Sequence, residues 1–194
     1  MKKLTYVLAI AASALALQSC QGPKDAKQEA DSLNKTKDTT TNVAATGGVA
    51  VSNDDAKFAT AAANGGMAEV ELGKLAQEKA TNAKVKDFGA MMVSDHSKAN
   101  DEMKALAKSK GITLPAAIDS KEQKVKDDLS AKSGADFDKA YVSNMIDDHK
   151  EDIKEFEDAT KNLKDPDLKA FAVKTLPTLK MHLEAITKIK DGMK

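Results

Sequence analysis

Apolar residues recur at the 3.6-residue spacing of an amphipathic helix along most of the chain after residue 53. This spacing predicts four long helices and one short helix, over about residues 54–80, 84–110, 120–132, 135–163 and 166–190. Gly111 is typical of a helix end, and the pair Asp165 and Pro166 is typical of a helix start. The pattern therefore predicts an all-α fold, a four-helix bundle with an additional short helix between the second and third long helices.

The chain has three histidines, and each lies on the apolar side of a different predicted long helix. They are His96, His149 and His182, while Glu69 lies on the apolar side of the remaining long helix. The first two long helices form one predicted hairpin and the last two form another. Within each hairpin, the two polar residues lie at similar distances from the turn that joins the helices. The four side chains therefore meet in one layer if the two hairpins pack in register. A buried polar side chain without a partner costs about 1–3 kcal/mol, so such a layer needs an ion or internal hydrogen bonds.

Two of the histidines lie in near-copies of one segment, FGAMMVSDHSKANDEM at residues 88–103 and YVSNMIDDHKEDIKEF at residues 141–156. The copies share an aromatic residue, Met, Val or Ile, Asp, His, Glu and a large apolar residue at matching positions. The shared methionines, Met92 and Met145, precede the histidines by one helical turn. Their thioethers are weaker candidate ligands that would favour Cu(I).

The shared aspartates, Asp95 and Asp148, directly precede the histidines in sequence. Successive residues point about 100° apart around a helix, so these carboxylates are directed away from the histidines of their own helix. We expect them to accept hydrogen bonds from a neighbouring helix or to face solvent.

Three imidazoles and the Glu69 carboxylate suit a single transition-metal ion, with zinc, iron and copper all compatible with the ligand types. The alternatives are a metal-free hydrogen-bonded layer that fixes the helix register, and histidines that face solvent. A di-iron site is not expected, because such sites place a Glu three residues before a His. The residues at that position are Val93, Ile146 and Leu179.

The first residues resemble a bacterial lipoprotein signal, with Lys2 and Lys3 followed by an apolar run and then Cys20, the only cysteine. We expect a signal peptide at residues 1–19 and lipidation at Cys20, which makes the membrane a partner through the lipid anchor. Gln21, rather than Asp, follows the cysteine and favours the outer membrane.

Residues 20–53 are rich in Lys, Asp, Gln, Thr, Ala and Gly, and contain few large apolar side chains. Such a composition cannot bury enough apolar surface to offset the entropy of ordering. We therefore predict a flexible tether over residues 20–53, which would hold a bundle domain of residues 54–194 roughly 30 Å from the membrane.

The chain has 30 basic and 30 acidic residues, with no basic patch that contains interleaved aromatic residues, so nucleic-acid binding is not expected. It also has neither a GXSXG motif nor a glycine-rich phosphate loop. The sequence therefore identifies no catalytic residue, and it favours a protein that is not an enzyme.

Several stretches resemble a bacterial family of exported proteins, the domain of unknown function DUF4142. They are AEVELGKLA, VKDFGAMMVSDH, GITLP, FDKAYVSNMIDDH and TLPTLKMHLEA. The resemblance covers nearly all of residues 54–190. It implies a ferritin-like helical bundle and an outer-membrane location, but no activity.

Two functions remain open at this point. The first is an envelope lipoprotein whose bundle holds a metal ion at the His/Glu layer, in protection against metal or oxidative stress. The second is a non-catalytic structural or interaction lipoprotein with a metal-free polar core, which binds another protein of the envelope. The two differ in whether metal raises the melting temperature.

Overall fold

The computed structural model describes residues 25–37 and 51–193. These residues form six α-helices and, within the described ranges, no strand. The helices are α1 (Ala26–Lys37), α2 (Asn53–Lys79), α3 (Ala83–Lys110), α4 (Ser120–Ser130), α5 (Gly134–Asn162) and α6 (Pro166–Asp191). The predicted all-α fold is confirmed, because α2, α3, α5 and α6 are the four predicted long helices and α4 is the predicted short one.

The helix ends follow from local hydrogen bonding. At the start of α2, the Ser52 side chain accepts a hydrogen bond from the backbone N–H of Asp55. At the start of α6, the Asp165 carboxylate accepts bonds from two backbone N–H groups, and Pro166 occupies the first turn, where its missing N–H costs nothing. Helix α3 ends at Gly111, whose φ of 66° is a left-handed conformation that glycine adopts readily.

The long helices form two hairpins, α2 with α3 and α5 with α6. The hairpins pack together through contacts of α3 with α6 and of α2 with α5, and α4 lies against both α2 and α5. The four long helices therefore enclose one interior, to which each contributes its apolar side.

Two apolar clusters fill this interior. One contains the edge-to-face pair Phe58 and Phe156, whose ring centroids are 5.2 Å apart, and the other contains Phe88 and Tyr141 at 6.4 Å. Along every long helix, the predicted polar residue lies between a member of the first cluster and a member of the second. The polar residues are Glu69, His96, His149 and His182. The layer they form is thus covered by apolar side chains on both sides.

Helices α2 and α3 approach most closely at two glycines. A Cβ atom added to Gly73 would lie 2.7 Å from the carbonyl oxygen of Gly89, and one added to Gly89 would lie 2.7 Å from the carbonyl oxygen of Gly73. Gly73 is one helical turn after Glu69, and Gly89 is two turns before His96. The close backbone approach therefore brings the Glu69 and His96 side chains within reach of each other.

The predicted flexible tether over residues 20–53 needs correction, because residues 26–37 form α1, which packs on α2. The side-chain amide of Asn34 donates to the carbonyl oxygen of Thr113 at 2.8 Å and accepts from its N–H at 2.7 Å. Asp25 also accepts from the N–H of Ser120 at 2.6 Å. Docking depends on these polar bonds and on the small buried Ala30, so a search for large apolar residues could not detect it.

The predicted signal peptide and Cys20 lie outside the described residues. Among the helices that are described, none combines the length and the apolar composition that a membrane crossing requires.

Candidate metal centre

The four predicted polar side chains meet inside the bundle, one from each long helix. Glu69 comes from α2, His96 from α3, His149 from α5 and His182 from α6, and each is at most 5% exposed. The centroids of the three imidazole rings lie 5.3 to 5.9 Å apart. One ring nitrogen from each histidine lies within 4.8 Å of the other two. The hairpins therefore pack in the register that the equal offsets predict.

One nitrogen of each imidazole bonds to a group outside this triangle. His96 Nδ1 lies 2.7 Å from Glu69 Oε2, and His182 Nε2 lies 3.1 Å from Asp95 Oδ2. His149 Nδ1 donates to the carbonyl oxygen of Met145 at 3.0 Å. A carbonyl or carboxylate that accepts from one ring nitrogen leaves the other nitrogen as a lone pair, and histidines that bind metals are commonly oriented in this way. The expectation that Asp95 serves a neighbouring helix is confirmed.

The remaining ring nitrogens are His96 Nε2, His149 Nε2 and His182 Nδ1. All three are buried and have no hydrogen-bond partner among the described residues. Leaving each of them unpaired costs on the order of 1–3 kcal/mol. One ion bound at the centre of the triangle would satisfy all three lone pairs together.

The three histidines are held in the neutral form. Burial lowers the pKa of His96 to about 4 and that of His182 to about 4, although neighbouring carboxylates act in the opposite direction. Burial, together with the other two histidines, lowers the pKa of His149 to about 3. Since a metal ion binds the deprotonated nitrogen, no proton competes strongly for these sites at neutral pH.

Apolar and aromatic groups surround the triangle. The ring of Phe88 lies 6.2 Å from the His149 ring and 6.3 Å from the His182 ring, measured between centroids. The predicted weaker ligands, Met92 and Met145, are fully buried in the same apolar cluster as Phe88. The part of Met145 that touches the site is its backbone carbonyl, which holds His149.

A surface cavity leads to the triangle between α3 and α6. It encloses about 280 Å³, and its lining includes His96, His182, Asp95 and the half-exposed Met181. Two of the three histidines therefore lie beside a solvent-filled cavity, while their free ring nitrogens remain buried.

A second group of possible ligands shares His149 with the triangle. One ligand atom each from Glu69, Asp148, His149 and Asp152 lies within 4.8 Å of the others. Burial, with the nearby charge of Glu122, raises the pKa of Asp148 to about 7. Burial also raises the pKa of Glu69 and of Asp152 well above their ordinary values, and the nearby charge of Asp148 acts in the same direction on both.

Sequence reasoning missed Asp152, and it expected Asp148 to accept a hydrogen bond from a neighbouring helix or to face solvent rather than to bind an ion. The available signal was their spacing on α5, because residues four apart lie on the same side of a helix. That spacing could not show that Glu69 of α2 faces them across the bundle.

The comparisons with known proteins agree with the helical bundle. A solved structure, described as CopM in the Cu(I)-bound form, is similar with a TM-score of 0.61 and 14% sequence identity. The alignment covers 71% of this chain and 96% of that one, and at this identity it shows the fold alone. No curated protein matches the sequence. The profile of the domain of unknown function DUF4142 matches residues 38–189, so the chain belongs to this family.

Proposed function

We propose that this protein binds one copper(I) ion between His96, His149 and His182, and that it does so as a lipid-anchored protein of the bacterial outer membrane. The observation that carries the proposal is the convergence of three buried ring nitrogens without hydrogen-bond partners. Each imidazole is already fixed through its other nitrogen, so the ligands need little reorganisation on binding.

Three features favour copper(I) over a divalent ion at this triangle. The three imidazoles are neutral, and a monovalent charge is less costly than a divalent one to bury among apolar side chains. Copper accepts imidazole ligands, so the three ring nitrogens suit it. The similar solved structure was obtained with Cu(I) bound.

Glu69 has a supporting role in this proposal. Its Oε2 lies 2.7 Å from His96 Nδ1, so the carboxyl group orients that imidazole. Asp95 does the same for His182 from the side of the surface cavity. Sequestration of copper(I) in this way would protect the cell envelope against metal and oxidative stress, with no catalytic step.

The test is anaerobic titration of the full mature chain with Cu(I) against a chromogenic Cu(I) chelator. We expect one ion per chain, and a fall in affinity of more than about 100-fold in His96→Ala and His182→Ala, because a lost ligand costs more than the 10- to 100-fold of a lost supporting group. Asp101→Asn is the matched control on α3, since Asp101 is 79% exposed. Equal, weak binding by all variants would refute the proposal and favour a metal-free polar layer.

The anchor is tested separately, in cells that are supplied with a labelled fatty acid. We expect label on the wild-type chain and none on Cys20→Ala, with the wild-type chain recovered in the outer-membrane fraction. Unlabelled wild-type protein would remove the anchor from the proposal without affecting the copper site.

A further inference from the structure

We infer that the α5 side of the layer is a second cation site, formed by Glu69, Asp148, His149 and Asp152, which takes a divalent ion such as Zn²⁺. The four residues each offer a ligand atom within 4.8 Å of the others. The inference rests on the proposed function in one respect, because His149 also belongs to the copper triangle. Among its carboxyl groups, Glu69 also orients His96 in the copper proposal, whereas Asp148 and Asp152 have no part in it.

Two buried atoms show that this group is more than a cluster of acidic residues. Glu69 Oε1 and His149 Nε2 lie 3.5 Å apart, and their side chains are 2% and 0% exposed. Neither atom has a hydrogen-bond partner among the residues that the structure describes. Because His149 Nδ1 donates to the carbonyl of Met145, Nε2 presents a lone pair. When Glu69 is ionised, two acceptor atoms therefore face each other, an arrangement that a cation between them would stabilise.

The charges around the group also favour a cation. Glu122 and Glu151 lie near Asp148, so further negative charge surrounds the three carboxyl groups. Lys121 lies 3.6 Å from Glu122 and 3.7 Å from Glu151, but its side chain is 70% exposed and its charge is screened by solvent. A divalent ion would supply the positive charge that this interior lacks.

The ligand types distinguish the second site from the first. Carboxylate oxygens with one imidazole suit Zn²⁺, whereas three neutral imidazoles suit Cu(I). His149 has one free lone pair, so it cannot bind an ion in each site at once. The two ions are therefore expected to compete for His149.

The two sites are separated by variants that each remove a ligand from one site only. We would measure Zn²⁺ affinity of the full mature chain by competition with a chromogenic zinc chelator, and Cu(I) affinity in parallel. Asp152→Asn should weaken Zn²⁺ by at least about 10-fold and leave Cu(I) nearly unchanged, while His96→Ala should do the reverse. Asp147→Asn should alter neither affinity, since Asp147 is 72% exposed on the same helix.

Competition gives an independent reading, because saturating Cu(I) should displace Zn²⁺ from the wild-type chain. Asp148→Asn repeats the test if Asp152→Asn fails to melt cooperatively. Loss of Zn²⁺ binding in His96→Ala, or its retention in both aspartate variants, would overturn the second site. Failure of the copper proposal is distinguishable, because Cu(I) would then bind weakly to the wild-type chain while the zinc results stand.

Discussion

The segments at residues 88–103 of α3 and 141–156 of α5 are near-copies in sequence, yet their histidines are held differently. His96 is oriented by a carboxylate of another helix, Glu69 at 2.7 Å, whereas His149 is oriented by a carbonyl of its own helix, that of Met145 at 3.0 Å. The repeated motif determines which side chains point inward. The helices packed against each copy determine which bonds those side chains form.

The aspartates of the two copies show the same contrast in their electrostatics. Burial acts to raise the pKa of Asp95, but the bond to His182 and the charge of Lys98 outweigh it and hold that pKa below its ordinary value. Burial and the charge of Glu122 raise the pKa of Asp148 to about 7. The ionised form is thus favoured for the aspartate in α3 and disfavoured for its equivalent in α5.

The two copies also differ at two further positions. Gly89 of α3 permits contact with the backbone of α2, while its counterpart in α5, Val142, packs in the apolar interior. Ala99 of α3 corresponds to Asp152 of α5, so the carboxyl cluster exists on one side of the layer only.

The largest effect should come from His149→Ala, because His149 is the ligand that both sites share. We expect it to lower the affinities for Cu(I) and for Zn²⁺ together, each by more than about 100-fold. His96→Ala should affect Cu(I) alone. Chelator competition with both ions measures this, and a His149→Ala chain that keeps full Zn²⁺ affinity would remove His149 from the second site.

The next largest effects should come from replacing Asp95 and Asp148 with alanine, and they should differ between the two copies. Asp95→Ala removes the acceptor that orients His182, so we expect Cu(I) affinity to fall by about 10- to 100-fold. Asp148→Ala touches none of the three imidazole anchors and should leave Cu(I) affinity within about threefold. The same anaerobic titration compares them, and equal losses in both variants would contradict the asymmetry.

Gly89→Ala should destabilise the bundle by about 1–3 kcal/mol, since its methyl group would meet the backbone of Gly73 at 2.7 Å. Urea unfolding followed by circular dichroism measures the free energy of unfolding. Gly65→Ala is the matched control, because its new methyl group has ordinary contact, 3.8 Å from Asp152, and alanine favours the helix. Similar losses in the two variants would argue against a special contact at Gly89.

The smallest expected effect is on the pH dependence of the free energy of unfolding, compared between metal-free Asp148→Asn and Asp95→Asn. The pKa of Asp148 is about 7 in the folded protein, against an ordinary value of 3.8. Between these two pH values the folded state binds more protons than the unfolded state. The contribution of Asp148 to the free energy of unfolding is therefore lost as pH rises to 7. Asp148→Asn should therefore gain stability relative to wild type as pH rises from 4 to 7, by about 1 kcal/mol or more.

Asp95→Asn should show the opposite sign. The lowered pKa of Asp95 contributes stability above the ordinary value of 3.8, and that contribution is lost as pH falls. At pH 7 we expect a loss below about 1 kcal/mol, because Asp95 is 27% exposed. Urea titrations at pH 4 and pH 7 measure the free energy of unfolding of both variants. Stability changes of the same sign in both variants at pH 7 would contradict the opposite pKa shifts of the two aspartates.

Helix bounds and the polar layer were accessible to sequence reasoning because both depend on regular periods. The 3.6-residue repeat locates the long helices, and equal offsets from the turns predict that Glu69 meets the three histidines. The acidic group was not accessible, because Asp152 becomes a candidate ligand only through its proximity to Glu69, which lies on another helix. The free nitrogen of each imidazole was equally hidden, since it depends on acceptors such as Asp95 and the Met145 carbonyl.

The docking of α1 limits the distance that the proposed lipid anchor would allow between the bundle and a bilayer. Asn34 and Asp25 bond α1 and the residue before it to the rest of the bundle, so a connection from Cys20, if it is acylated as proposed, would end at Asp25. Five residues span at most about 17 Å even when fully extended. With the proposed anchor, the protein would then stay in a thin layer of water next to the lipid headgroups.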